Sequence, residues 1–537
     1  MVLGGTVCLR EAPVLLKPLA EGCKIISLPV CKAPHVRPVG YHINPISNPI
    51  LISRMWTPIF HHNCFCNMYV SARNRVLASV PLCDSNFIKS QLFVMRLIKS
   101  FIRAPVARQE ATLFYLKYSG AKRKRYSRAA EIYQSNGLSR RNGGVNCFVK
   151  PDKINPFEKM LSDPRMIQFR DPVFCVAIAQ YLKPLEEKLY HLKLYHPLCY
   201  TNSRVVGKGM NQVQRASAAH AKWSSIDDPV CVSLDMSRFD LHVSKELLEF
   251  EHYFYLLFFP DSVELRDLLK RQLVNKVSSM YNPNFDKFKY ISEGRRMSGD
   301  MNTALGNCVL MIAMCFSFFL KFNIRFDLLD DGDDMLTFIS RKDLPLLTSE
   351  INRHMLSYGM VCKVESVAFE FEKIVWCQCS PVNTYRGWKF VRDPIKVLST
   401  TLSGPRWSCT STKFVLRSMA AQAICEGVLS TGVPILACYA SALARNSLGY
   451  EPLFNEASGD YFRFLRESKL YHKHDLNMVI TDEARLSFSK AFNIDVDTQL
   501  AVECELNSWK FDCSSLFTDY FRFDVTNWSF LNHRYEF

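Results

Sequence analysis

Two groups of carboxylates set the chemistry this sequence could perform. The run Phe326-Asp327-Leu328-Leu329-Asp330-Asp331-Gly332-Asp333-Asp334-Met335-Leu336-Thr337-Phe338-Ile339 has short apolar stretches on either side of an Asp-Gly turn. That pattern predicts a β-hairpin with Asp333 and Asp334 at its tip. Adjacent like charges repel, so such a turn needs solvent or a cation. Alone, it would be unremarkable as a solvated turn. Upstream, Val230-Cys231-Val232-Ser233-Leu234 reads as a buried strand that ends in Asp235, with Asp240 five residues later. A strand-end aspartate facing a hairpin-tip pair can hold two divalent cations. Two hard cations about 3.5–4 Å apart can activate a hydroxyl and stabilise a leaving oxygen in phosphoryl or nucleotidyl transfer.

A third segment lies between these two. Ser298-Gly299-Asp300-Met301-Asn302-Thr303-Ala304-Leu305-Gly306-Asn307 begins as a loop and enters an apolar helix. Thr303 and Asn307 are four positions apart and share one helix face. They read either as a cap plus one buried amide, or as a polar stripe facing Asp240 where a ribose 2′-hydroxyl could be bound.

The spacing Asp235-x4-Asp240, Ser298-Gly299-x3-Thr303-x3-Asn307 and Gly332-Asp333-Asp334 resembles motifs A, B and C of positive-strand RNA virus polymerases. The likeness is strongest to the tombusvirus family and its tombus-like relatives. Tyr118-Ser119-Gly120 with the basic run after it is similar to that family's fingers segment. Phe148-Val149-Lys150-Pro151-Asp152-Lys153-Ile154 and Pro164-Arg165-Met166-Ile167-Gln168-Phe169-Arg170 look like motif F. Lys208-Gly209-Met210-Asn211 resembles a Lys-Gly-Leu-Asn segment, and Phe371 to Gln378 the motif E region, with Trp376 where Phe is usual. The resemblance covers about 110 to 400, and Cys308 departs from the usual Ser or Thr after Asn307.

The resemblance implies specific roles. Asp235 and Asp333 would ligate two Mg²⁺ or Mn²⁺ ions, with Asp334 assisting. Lys150, Lys153, Arg165 and Arg170 would clamp the incoming triphosphate. Asp240, Ser298, Thr303 and Asn307 would recognise the ribose. Lys363 reads either as a surface lysine or as a motif D acid that protonates pyrophosphate. The implied activity is RNA-directed RNA synthesis on a viral template from NTPs. Replication factors, host membranes and a cytoplasmic replication site are the implied setting. A reverse transcriptase and a non-catalytic RNA-binding scaffold are the alternatives. Asp240 and Asn307 weigh against the first, and the full set of metal carboxylates against the second.

The elements that must position these residues point to an α+β right-hand polymerase with a small antiparallel palm sheet. Its expected units are an N-terminal extension (1–109), fingers (110–227 and 246–294), palm (228–245 and 295–395) and thumb (396–537). Prolines punctuate the extension from Pro13 to Pro58, predicting loops and short strands that wrap over another unit. Ala304 to Leu320 is apolar apart from Asn307 and Ser317. At about 17 residues it reads as a core helix and not a membrane span.

Composition agrees with a folded, polyanion-binding protein. The 537 residues are 48% hydrophobic and 12% aromatic, which excludes a disordered chain, and the net charge of +16 favours nucleic acid or an anionic membrane. Lys122-Arg123-Lys124-Arg125, Arg128, Arg140 and Arg141, with Tyr118, Tyr126 and Tyr133 among them, read as an RNA-contacting surface where rings could stack on bases. The 20 cysteines read as reduced thiols. His61, His62, Cys64 and Cys66 cluster, yet Cys-x-Cys is tighter than usual for zinc and no second pair follows at finger spacing. Arg10 and Glu11 interrupt any leader-like apolar run, and Val2 lacks the myristoylation glycine. No helicase phosphate loop is present in the sequence.

Overall fold

The computed structural model describes residues 5–10, 14–31, 36–38, 41–159, 161–280, 286–404, 411–453 and 479–512. Met1, Val2, Glu11, Pro13, Pro34 and the 454–478 and 513–537 parts of the expected C-terminal unit lie outside them.

Helices and small sheets alternate, and the sheet at the centre is antiparallel throughout. Its four strands run in the order Asp327–Asp330, Asp334–Ser340, Pro229–Met236, Cys362–Ala368. The strand predicted over 230–234 and the predicted hairpin are both present. Val230, Val232, Leu234, Leu328, Met335 and Ile339 pack into the main core. Against them lies the helix Thr303–Phe322, buried along nearly its whole length. Among the described residues it is the one helix long and apolar enough to cross a membrane, and 83% of its apolar window is buried inside the protein. It is therefore a core helix, held in part by Phe319 stacked on Phe326 at 4.2 Å.

A second, five-stranded sheet runs Lys24–Ser27, Lys289–Glu293, Val274–Ser279, Val145–Val149, Met166–Arg170. Its strands alternate inward and outward, so one apolar face is buried on a separate cluster containing Val145, Cys147, Val149, Met166, Val277 and Tyr290. The N-terminal segment thus supplies an edge strand to this sheet. The same segment sends Ile88, Val94, Met95 and Ile98 into the main core. The short strands expected from the proline spacing are there, but as integral parts of the fold. A third core joins Ile46 and Leu51 to the hairpin Cys379–Thr384/Gly387–Arg392 and to helices Thr412–Leu429, Leu436–Asn446, Asp482–Phe492 and Val496–Ser508.

The basic helix Gly120–Asn136 corrects one expectation. Tyr118 and Tyr126 turn inward, with ring centroids 5.3 Å and 4.9 Å from that of buried Phe114. Tyr133 hydrogen-bonds to Glu264. These rings anchor the helix on Pro172–Leu189 and are not laid out as a base-stacking platform. Arg123, Lys124 and Arg128 remain on the outer face, lining a shallow surface groove.

Candidate active site

Strand register brings the separated carboxylates together. Asp235, next to last in its strand, lies directly opposite Asp334 on one side and Lys363 on the other. Asp333 precedes Asp334 in the turn, which Gly332 closes at φ +99°. A side chain there would be strained, which is why the turn carries glycine. Beneath it, buried Asp330 accepts a hydrogen bond from the Gly332 amide at 3.2 Å. Burial pushes the Asp330 carboxyl up, while Cys308, Lys208 and the Gly332 amide pull the other way.

The electrostatics show which groups face one another. Burial and the Asp333 charge both raise Asp235, while Lys363 and Lys159 pull it down. Asp240 is raised to about 6 by burial and by Asp333, against Arg296 and Arg165. Asp334 is raised to about 6 by burial and by Asp333, and the nearby Cys377 thiol donates to Asp331 Oδ2 at 3.5 Å. Asp333 therefore acts on Asp235, Asp240 and Asp334 at once. Hard oxygen donors that destabilise one another's charge fit divalent cations, which would relieve that repulsion.

Asp331 has a different task. Lys208 Nζ lies 2.5 Å from Asp331 Oδ1, and Arg215 Nη2 lies 2.7 Å from its Oδ2. Burial opposes an ionised Asp331, but these two cations win and hold it below its ordinary value. The Arg215 guanidinium also sits 4.9 Å over the Trp376 ring. Trp376 Nε1 in turn donates to the Asp334 carbonyl at 3.2 Å. A Cβ on Gly207 would lie 2.3 Å from that indole, so the 207–211 segment packs against the hairpin through a glycine. Asp331, Lys208, Arg215 and Cys377 were not assigned roles from the sequence. Lys208, Asp331 and Cys377 each fall inside a quoted motif, but their pairing was hidden because Asp331 lies 123 positions from Lys208.

Asn307 does face Asp240. Its Nδ2 lies 3.4 Å from Asp240 Oδ1, and its Oδ1 accepts from Arg296 Nε at 3.0 Å. Arg296 is itself locked in a buried ion pair with Glu251, whose Oε1 also accepts from Tyr255 Oη at 2.6 Å and Asn302 Nδ2 at 3.0 Å. A Cβ on Gly306 would sit 2.3 Å from Glu251 Oε1, so this helix position leaves no room for a side chain.

The other expected ribose residues are spent on the protein. Thr303 Oγ1 donates to the Met297 carbonyl at 2.9 Å. Ser298 Oγ bonds the Met166 carbonyl and Gln168 Oε1, and accepts from the Gln168 amide. Gly299 donates to the Gln168 carbonyl at 2.6 Å, where a Cβ would approach within 2.5 Å. The loop 298–300 is thus sewn onto the strand Met166–Arg170.

Arg170 completes that seam and requires a correction. It is 1% exposed, paired with Asp300 at 2.7 Å, and bonded to the Gly143 carbonyl and Asn275. Buried and saturated, it positions two segments and cannot also clamp a triphosphate from this place. Lys153 donates to the Thr400 carbonyl at 2.5 Å. Lys150 and Arg165 share Asp152, at 2.8 Å and 3.4 Å, and Arg165 stays 60% exposed. Of the four cations expected to clamp a triphosphate, these two are the ones presented at the surface.

With this geometry in place, the family is clear. Residues 57–514 match the family described as viral RNA dependent RNA polymerase, and the chain belongs to it. Among curated relatives, the RNA-directed RNA polymerase of groundnut rosette virus (strain MC1) is 31% identical over 82% of this chain and 51% of its own length. That of tobacco necrosis virus (strain A) is 33% identical over 77% of this chain and 55% of its own. That of tomato bushy stunt virus (strain Cherry) is 32% identical over 74% of this chain and 47% of its own. The tombusvirus-type resemblance read from the motifs is therefore borne out. The chain spans about half the length of the curated relatives it matches.

Proposed function

We propose that this chain catalyses template-directed RNA synthesis from NTPs for a viral positive-strand genome. The observation that carries this is the meeting of Asp235 and Asp333 beside the Asp240–Asn307 pair. A nucleotidyl-transfer centre thereby adjoins a candidate ribose reader. In this reading the four-stranded sheet and its core helix are the palm (228–245, 295–395). The fingers are 110–227 and 246–294, joined by strands of the 1–109 segment, and the thumb is 396–537.

Asp235 and Asp333, with Asp334, would hold Mg²⁺ or Mn²⁺. Such ions, when bound, activate the attacking 3′-hydroxyl and neutralise charge on the leaving pyrophosphate. Asp240 and Asn307 offer an acceptor and a donor to a ribose 2′-hydroxyl. Lys150 and Arg165 offer cations to the triphosphate. The bond formed joins the 3′-oxygen to the α-phosphorus, and the bond broken releases pyrophosphate. Lys363, opposite Asp235 in the strand register, would hand that leaving group a proton. The setting we propose is a replication site on host cytoplasmic membranes, with viral or host replication factors.

The test is incorporation of NTPs and dNTPs by the purified full chain on an RNA template with Mg²⁺ or Mn²⁺. Complementary RNA made from NTPs is expected. RNA binding without synthesis under either metal would refute the proposal, and preference for dNTPs would indicate a reverse transcriptase.

A further inference from the structure

The thiol cluster at the N-terminal edge shares no residue with the polymerase site. Cys8 Sγ lies 3.9 Å from Cys31 Sγ and 3.5 Å from Cys64 Sγ. The Sγ atoms of Cys8, Cys31 and Cys66 all fall within 4.8 Å of one another. Among the described residues this is the one place where three metal-ligating atoms converge so closely. A zinc ion with Zn–S bonds of about 2.3 Å in a tetrahedron has sulfurs about 3.8 Å apart. A disulfide needs about 2.05 Å. The spacing within the Cys8, Cys31 and Cys66 trio suits the first and is too long for the second, and Cys64, 3.5 Å from Cys8, stands just outside the trio as the nearest further thiol.

The backbone around these thiols is fixed as a ligand cradle would be. Buried Asn67 accepts from the Leu9 amide at 2.8 Å and donates to the Val7 and His62 carbonyls at 2.7 Å and 2.8 Å. It thereby staples the Cys8 segment to the Cys64–Cys66 knuckle. Arg10 donates to the Cys31 carbonyl at 3.1 Å, bringing in the third segment. His61 faces the other way, toward Asp152, Arg75 and Asp163.

We infer that Cys8, Cys31, Cys64 and Cys66 form a structural Zn²⁺ site of the four-thiolate class. The sequence concealed it because the partners of the Cys-x-Cys knuckle lie upstream, at separations of 33 to 58 residues. Only Cys64 and Cys66 fall inside the family match, which begins at residue 57. The site therefore bolts the preceding segment onto the region that matches the family. Its knuckle is tied to the strand that leads into Lys150. Asn63 Oδ1 accepts from the Val149 amide at 2.9 Å, one residue before Lys150, and Ile59 bridges Ile154. Binding replaces up to four thiol protons and links the ion to folding of these strands.

The experiment uses the full chain expressed with zinc in the medium and purified without chelator. Total metal analysis is expected to find about one zinc per chain. Cys8→Ser and Cys66→Ser should each lose it, while Cys504→Ser, at an exposed thiol, and Asp333→Ala should keep it. Because the serine variants could fail to fold, the wild type is also loaded with Co²⁺. Thiolate-to-cobalt charge-transfer absorption with tetrahedral d–d bands is expected. Removing zinc should accelerate hydrogen exchange at the Val149 amide. Wild type with no stoichiometric zinc and no thiolate–cobalt band would overturn the assignment. So would zinc retained by Cys8→Ser and Cys66→Ser, or a disulfide within the cluster.

Discussion

Replacing Arg296 with Met should damage stability and ribose selection together. The Arg296 and Glu251 side chains are 2% and 0% exposed. Removing one partner of a buried ion pair costs about 3–5 kcal/mol, because the other charge is left in a poor solvent. Glu251 keeps its bonds to Tyr255 and Asn302, which places the expected loss near the lower end, about 3 kcal/mol. Asn307 simultaneously loses the donor that fixes its amide orientation. If that orientation presents Nδ2 to Asp240 and the ribose, discrimination between NTPs and dNTPs should fall about tenfold, equivalent to ~1.4 kcal/mol. Urea titration reports the first effect, and the ratio of kcat/KM for NTP and dNTP the second. The double variant Glu251→Gln/Arg296→Met should recover part of the stability and none of the selectivity. A single variant within about 1 kcal/mol of wild type, a typical surface-substitution result, with selectivity intact would refute the reasoning.

The two motif F arginines should separate by assay. Arg170→Ala should cost about 3–5 kcal/mol of folding stability by stranding Asp300, measured by urea denaturation. Arg165→Ala should leave stability nearly unchanged and raise the KM for NTP, since that side chain is 60% exposed. Lys389 gives a pH signature. Burial, with Arg386 and Arg392 nearby and Glu426 opposing them, lowers it from 10.5 to about 7. The unfolded chain keeps that proton up to the ordinary lysine value and the folded chain loses it near 7. This group therefore makes stability rise with pH between the two values. Lys389→Met should abolish that rise and stabilise the protein at neutral pH by about 1–4 kcal/mol, as read from denaturation at a series of pH values.

What the sequence disclosed was local. Val230 to Leu234 announced a strand by its unbroken apolar run, and Asp-Gly announced the hairpin. The 304–320 stretch declared itself a core helix by carrying a functional-looking Asn307 in an otherwise apolar run. In each case the signal and the element occupy the same few residues. What stayed hidden depends on which surfaces meet. Arg170 looks like any motif cation until Asp300, 130 positions away, turns out to neutralise it. Tyr118 and Tyr126 look available for stacking until Phe114 takes their edges. Asp331 belongs to the same acidic run as Asp333, yet Lys208 and Arg215 draw it to the opposite task. Loop-closure cost grows slowly with length, so distant partners are cheap for the fold to use and leave no periodic trace in the chain.

The central claim is that Asp235 and Asp333 are the metal-binding pair of an RNA-synthesising centre. The most direct measurement compares wild type with Asp333→Ala for template-directed RNA synthesis, across a titration of Mg²⁺ and Mn²⁺, with circular dichroism as the folding control. The account predicts a folded variant whose synthesis falls by at least about 10³-fold, the scale of losing a principal charge-stabilising group, and is not restored by more metal. A folded Asp333→Ala chain that polymerises at the wild-type rate would contradict it.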